Sequence, residues 1–186
     1  MSMRETYPVD IAGLTRHLPL FEVAPGVRIA IFNLLGDSEV IQTAAHALAA
    51  RLAGLGADTL VTAEAKSIPL VYQLAVEMKK DWVVLRKDYK PYMGNALRAE
   101  TLSITTGKPQ TLYLDEKDLA LVKGKRVIIV DDVISTGSTL QGMRLVMQQA
   151  DAEVVAQAAV FTEGERAQWR DIVALEHLPV FTAEKK

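Results

Sequence analysis

Between Glu39 and Ala53 the apolar residues Val40, Ala44, Ala47, Leu48 and Leu52 recur at helical spacing. Gly36-Asp37-Ser38 supplies a start signal and Gly54 and Gly56 a stop, so this stretch predicts the first helix. The pattern then changes period. Asp58 to Thr62 is short, apolar and β-branched and predicts a strand, Ala63 to Pro69 a loop, and Leu70 to Lys80 a helix with Pro69 near its first turn. Trp82 to Leu85 reads as a second buried strand. After it, Arg86 to Arg98 is polar and basic, follows neither period, contains Pro91 and Gly94, and is expected to be a long mobile loop. Strands are expected near Thr101 to Thr105 and Gln110 to Leu114, followed by a short amphipathic piece, Glu116 to Val122, closed by Gly124.

Arg126-Val127-Ile128-Ile129-Val130 is the most strongly aliphatic strand signal in the chain, and Ser138 to Gln149 follows it as a helix carrying Leu140, Met143, Leu145, Val146 and Met147. An unbroken aliphatic run suits a central parallel strand covered on both faces. Val154 to Phe161 supplies a further strand, and a helix is expected over Gln168 to Val173. Strands alternating with helices imply an α/β fold on a mainly parallel sheet, with ligands gathered at the carboxyl ends of its strands. Near the two ends, His17-Leu18-Pro19-Leu20-Phe21 and His177-Leu178-Pro179-Val180-Phe181 echo one another. Chance would explain the echo; a structural origin would bring both ends together in a small appendage above the sheet.

Composition narrows the function classes. A chain of 186 residues, 49% of them hydrophobic, fills one domain. The formal net charge of -2, with acids and bases interspersed, offers no broad basic surface for nucleic acid, so any anion site must be local. The absence of cysteine excludes a disulfide framework, a thiolate nucleophile and cysteine-ligated zinc, and fits a cytoplasmic protein. Met1 to Asp10 has no apolar targeting core, and no apolar stretch approaches the roughly 20 residues of a membrane helix.

The chemistry concentrates after Val130, in Asp131-Asp132-Val133-Ile134-Ser135-Thr136-Gly137-Ser138-Thr139. Backbone N–H groups at a helix start, joined by the Ser135, Thr136, Ser138 and Thr139 hydroxyls, make an anion cradle, and Gly137 permits close approach and a positive φ. A phosphate monoester suits such a cradle. The carboxylates of Asp131 and Asp132 would accept hydrogen bonds from adjacent sugar hydroxyls or help position a divalent cation. Piece by piece, the same residues also read as a capped turn before an ordinary helix. As one block from Val127 to Thr139 they closely resemble the phosphoribosyl pyrophosphate (PRPP) signature of type I phosphoribosyltransferases. The block lacks the glycine and lysine spacing of a P-loop and the glycine triplet of a dinucleotide fold.

That resemblance extends along the chain. Glu64, Ala65, Lys66 and Ser67 lie in a segment, Thr62 to Pro69, similar to the family's pyrophosphate loop, although purine-type members usually carry glycine near Ser67. Arg86, Lys87 and Lys90 resemble the basic segment that opens the flexible catalytic loop of adenine phosphoribosyltransferases. The family's loop glutamate has no match in Ser103 to Lys108, where Thr105 occupies its place; Glu100 is the nearest acid and the candidate general acid. Phe161 and Glu163 fall where related enzymes contact the base, Phe161 by stacking and Glu163 by accepting from its N–H groups.

The resemblance therefore implies a type I phosphoribosyltransferase fold with a small hood built from about residues 1–35 and 162–186. It implies a homodimer and Mg²⁺ bound mainly through substrate oxygens and water. The expected reaction joins the ribose 5-phosphate of PRPP to a purine, adenine ahead of hypoxanthine, guanine or xanthine. The alternative from another class is a regulatory protein that retains the fold as a PRPP sensor.

Overall fold

A computed structural model describes residues 5–102 and 109–182. Its centre is a five-stranded, fully parallel sheet in the order β10-β9-β8-β4-β5. The strands are β4 (Thr59–Ala63), β5 (Asp81–Leu85), β8 (Arg126–Ile134), β9 (Glu153–Glu163) and β10 (Val173–Leu178). In β8 the aliphatic run divides by parity. Ile128 and Val130 enter one core with helices α1 (Ser38–Leu52) and α2 (Ile68–Met78), while Val127 and Ile129 enter the other with α4 (Ser138–Gln149). A strand covered on both faces must be apolar on both, which explains its lack of alternation.

Local signals set the helix ends. The Asp37 side chain accepts from Val40 N at 3.1 Å and caps α1, Pro69 stands in the first turn of α2, and Gly137 precedes α4 at φ 76°. The piece expected over Glu116 to Val122 divides into a 3₁₀ turn and the single-turn α3 (Leu119–Val122).

Two expectations are corrected. Arg86 to Arg98 is largely ordered: Arg86 bridges Tyr113 through paired backbone bonds of 2.8 Å, residues Pro91–Met93 form a 3₁₀ turn on the buried Met93, and β6 (Leu97–Leu102) begins inside the segment. It pairs antiparallel with β7 (Pro109–Leu114), whose Leu112 and Leu114 reach the α4 core. The helix expected over Gln168 to Val173 is a 3₁₀ turn at Arg166–Trp169 followed by β10, because Val173 and Leu175 pack against the core as strand residues.

A second, antiparallel sheet of order β1-β2-β3-β11 stands as a hood. It comprises β1 (Thr6–Ile11), β2 (Leu14–Ala24), β3 (Val27–Ala30) and β11 (Val180–Thr182). The echoed segments lie on either side of β3, with Phe21 and Val180 both opposite Ile29. Ile11, Leu18, Leu20 and Phe32 join the same core as α1 and α2, so the hood shares its apolar interior with the parallel sheet.

Candidate functional site

The direction in which the chain leaves the sheet fixes where a ligand can enter. From β4 it proceeds outward to β5, and from β8 to β9 and β10 on the other side, so β4 and β8 flank the point where strand order reverses. Their following helices, α2 and α4, lie on opposite faces. Such a switch point opens a crevice at the carboxyl ends of the strands. The pairing of β4 with β8 runs over Thr59 to Val61 opposite Val127 to Ile129, whereas β8 stays paired with β9 through Ile134. The ends of β4 and β8 diverge, and Asp131 and Asp132 stand beside the gap.

Side chains close it. Ser67 is 1% exposed and Asp132 8%. Ser67 Oγ donates to Asp131 Oδ1 at 2.6 Å, lies 3.3 Å from Asp132 Oδ1 and accepts from Asp132 N at 3.0 Å, while Asp132 N also reaches Asp131 Oδ1 at 2.9 Å. Desolvation, followed by the neighbouring charge of Asp132, pushes the Asp131 carboxyl up to about 7, against the opposing effect of the Ser67 hydroxyl.

Past the carboxylates, residues 135–139 turn into α4 around a concavity of about 40 Å³ lined by Ser135, Thr136, Gly137, Ser138 and Thr139. Thr136 Oγ1 and Ser138 Oγ are 3.1 Å apart. Gly137 takes the left-handed conformation at the N-terminus of α4, whose first-turn N–H groups have no carbonyl partner within the helix. The indole of Trp169 lies over this glycine: a Cβ there would be 3.0 Å from Trp169 Cη2. Trp169 Nε1 in turn donates to Glu163 O at 2.8 Å. Sequence reasoning did not find Trp169, since helix α4 and strand β9 separate it from the loop it covers.

The second cluster joins the β4–α2 loop to the end of β5. Glu64 Oε2 accepts from Arg86 Nε at 2.5 Å and Oε1 from Lys87 N at 2.6 Å. Although desolvation opposes it, the Lys87 N–H and the Arg86 guanidinium hold the Glu64 carboxyl below its usual range, and Glu64 raises Arg86 in return. The Glu64–Ala65 peptide is cis. Ala65, Lys66, Lys87 and Lys90 are exposed.

Other expected site residues are not drawn in. Phe161 is fully buried in the α1–α2 core, edge-on to Phe32 with ring centroids 4.9 Å apart, and cannot stack on a base; the strand β9 runs two residues past it. Glu100 is exposed on β6 opposite Thr111. Glu163 stays at the carboxyl end of the sheet, where burial raises its carboxyl. Thr105 lies outside the described residues. Beside Glu163, His177 links Thr162 and Gly164: Nε2 must donate to Gly164 O at 3.1 Å, so Nδ1 accepts from Thr162 Oγ1 at 2.9 Å. Burial first, then Arg166, lowers this histidine.

Among the described residues no three His, Cys, Asp or Glu side chains converge as a metal cage, and no helix is long and apolar enough to cross a membrane. Two adjacent carboxylates suit a Mg²⁺ ion carried in on a diphosphate, which keeps most of its oxygens from substrate and water.

Residues 35–179 match the phosphoribosyl transferase domain. The chain belongs to this family, as a type I phosphoribosyltransferase domain. It is 32% identical over 152 residues to the adenine phosphoribosyltransferase of Nitrobacter hamburgensis, spanning 81% of this chain and 82% of that one. It is 28% identical over 143 residues to the purine biosynthesis transcriptional repressor PurR of Bacillus subtilis, spanning 77% of this chain and 49% of the repressor. The type I domain thus spans about half the length of the PurR regulators it matches. Its fold is that of the adenine phosphoribosyltransferase from Thermoanaerobacter pseudethanolicus, with a TM-score of 0.67 at 21% identity over 93% of this chain and 95% of that one.

Proposed function

We propose that this phosphoribosyltransferase domain moves the 5-phosphoribosyl group of PRPP onto a purine nitrogen, adenine ahead of hypoxanthine, guanine or xanthine, yielding a nucleoside monophosphate and pyrophosphate. The observation that carries the reading is the buried Ser67, Asp131 and Asp132 cluster directly before a phosphate-sized cradle at residues 135–139. Read from the cradle outward, the 5-phosphate meets the N–H groups and hydroxyls of Ser135 to Thr139, and the ribose hydroxyls meet the two carboxylates. The diphosphate then falls toward Ala65 and Lys66, next to the buried Ser67, with Arg86, Lys87 and Lys90 on the neighbouring segment.

In the reaction the bond from the anomeric carbon to the diphosphate oxygen breaks and a bond to the base nitrogen forms. Positive charge grows on the ribose ring beside Asp131 and Asp132, and negative charge on the leaving group beside the cations. Mg²⁺ travels with the diphosphate as part of the substrate. No covalent intermediate with the protein is needed. Glu64 acts by holding Arg86 and the Lys87 backbone at the mouth of the site; as an anion it is unsuited to bind diphosphate itself. Glu163, half-buried at the end of β9, accepts from the N–H groups of the base. The full expectation is a cytoplasmic homodimer that uses no nucleic acid or membrane partner.

The kinship with PurR regulators supports a second reading, in which the same site senses PRPP and transfers nothing. One assay separates the two. Purified protein is incubated with Mg²⁺, PRPP and each of adenine, hypoxanthine, guanine, xanthine, orotate and uracil, and pyrophosphate and nucleotide are quantified. A productive purine establishes the enzyme. PRPP binding without turnover, weakened by Asp132→Asn, establishes the sensor. No PRPP binding refutes both.

A further inference from the structure

Ser67 stands immediately before α2, where a serine usually accepts a hydrogen bond from the first turn of the helix. Here its side chain makes no capping bond. The hydroxyl instead crosses from the β4–α2 loop to β8, donating to Asp131 Oδ1 at 2.6 Å and accepting from Asp132 N at 3.0 Å. A hydroxyl has one proton, and the 2.6 Å contact, not the 3.3 Å one to Asp132, falls in the range of a charge-assisted bond. At 1% exposure no water competes for it. Both contacts run to Oδ1 atoms, so the Oδ2 atoms are the ones a ribose would meet.

We propose that Ser67 is a positioning residue that ties the diphosphate-side loop to the two ribose-side carboxylates, so that the halves of the PRPP site are oriented as one unit. The proposal rests on the reading of this site as a PRPP site. Ser67 acts through Asp131 and touches no reacting atom. A side chain at this place that lacks a hydroxyl would leave the β4 and β8 ends, unpaired beyond Val61 and Ile129, without this link. The affinity for PRPP would then include the cost of orienting Asp131 on binding.

The test is titration calorimetry with Mg²⁺ and PRPP on wild type, Ser67→Ala, Ser67→Gly, Asp131→Ala and the Ser67→Ala/Asp131→Ala double variant. Thermal melts confirm folding. Losing one charge-assisted hydrogen bond corresponds to a change on the order of 10- to 100-fold in Kd. The expected result is a loss of that size in both Ser67 variants and little additional loss when Ser67→Ala is added to Asp131→Ala. In turnover, the KM for PRPP rises while kcat and the KM for the base change less than about threefold, a split that loosened folding would not produce. Wild-type affinity in Ser67→Ala and Ser67→Gly, or full additivity in the double variant, overturns the proposal and leaves the PRPP site standing. Failure of the wild type to bind PRPP overturns the reading of the site and this proposal with it.

Discussion

Replacing Gly137 with alanine places a methyl group in the backbone of the loop before α4 at φ 76°, 3.0 Å from Cη2 and 3.3 Å from Cζ3 of Trp169. Two costs add. An L-residue held in the left-handed region loses about 1–2 kcal/mol, and forcing a carbon into a packed contact typically costs about 1–3 kcal/mol. The indole is held from its far side by the 2.8 Å bond to Glu163 O, so it cannot swing away freely. The sum is about 2–5 kcal/mol, which for a domain of this size lowers Tm by roughly 4–20 °C. Urea denaturation of wild type, Gly137→Ala, Trp169→Ala and the double variant separates the two terms. In the Trp169→Ala background the glycine substitution should cost only the backbone share of about 1–2 kcal/mol. An identical cost in both backgrounds refutes the steric contact, and no cost in either refutes the assigned backbone conformation.

Other predictions follow from the same geometry. The folded Asp131 carboxyl titrates near 7, above its ordinary 3.8. The folded state therefore binds that proton more tightly than the unfolded chain, and its stability contribution is complete below about pH 4 and lost as pH rises toward 7. Asp131→Asn should flatten urea midpoints across that window, and an unchanged slope would reject the shift. Phe161→Ala should cost about 3–5 kcal/mol in urea denaturation, as emptied aromatic core sites do, while leaving relative activity among purines unchanged; altered base preference would restore Phe161 to the site. Glu64→Ala removes the partner of Arg86 and the acceptor of Lys87 N, and should speed hydrogen exchange at the Arg86 and Tyr113 amides; equal protection would show the bridge independent of Glu64. Lys87→Ala with Lys90→Ala should depress kcat, and unchanged steady-state kinetics would remove these lysines from the mechanism.

The legible parts of the chain were those where one local rule dominates. The β8 run and α4 are readable because burial on both faces demands an aliphatic strand, and because Gly137 marks the helix start; α4 spans Ser138–Gln149 as the periodicity indicates. The hood strands β1 and β2 give a weaker signal: alternation in β1 is confined to Tyr7, Val9 and Ile11, Arg16 interrupts the Leu14, Leu18 and Leu20 face of β2, and their order depends on pairing with one another. Arg86 to Arg98 misleads for a related reason: its order comes from Tyr113 and Met93, a distant backbone pairing and a single buried anchor. For the candidate site, residue type singled out Asp131, Asp132 and residues 135–139, which the fold brings to one end of β8, whereas Phe161 is buried because strand β9 extends to Glu163 and its register turns the ring inward. Ser67 could be placed in the loop by sequence, but its hydrogen bond across to β8 is a tertiary fact.

The placement of β3 between β2 and β11 has a kinetic side. Ile29 finds one neighbour, Phe21, a few residues upstream, and the other, Val180, only after the whole parallel sheet has been laid down between them. Closing so long a loop is slow compared with forming a hairpin. During synthesis the β1–β2–β3 meander can therefore form early but stays with an open edge until β11 arrives, and the roof of the molecule is the last part to be sealed.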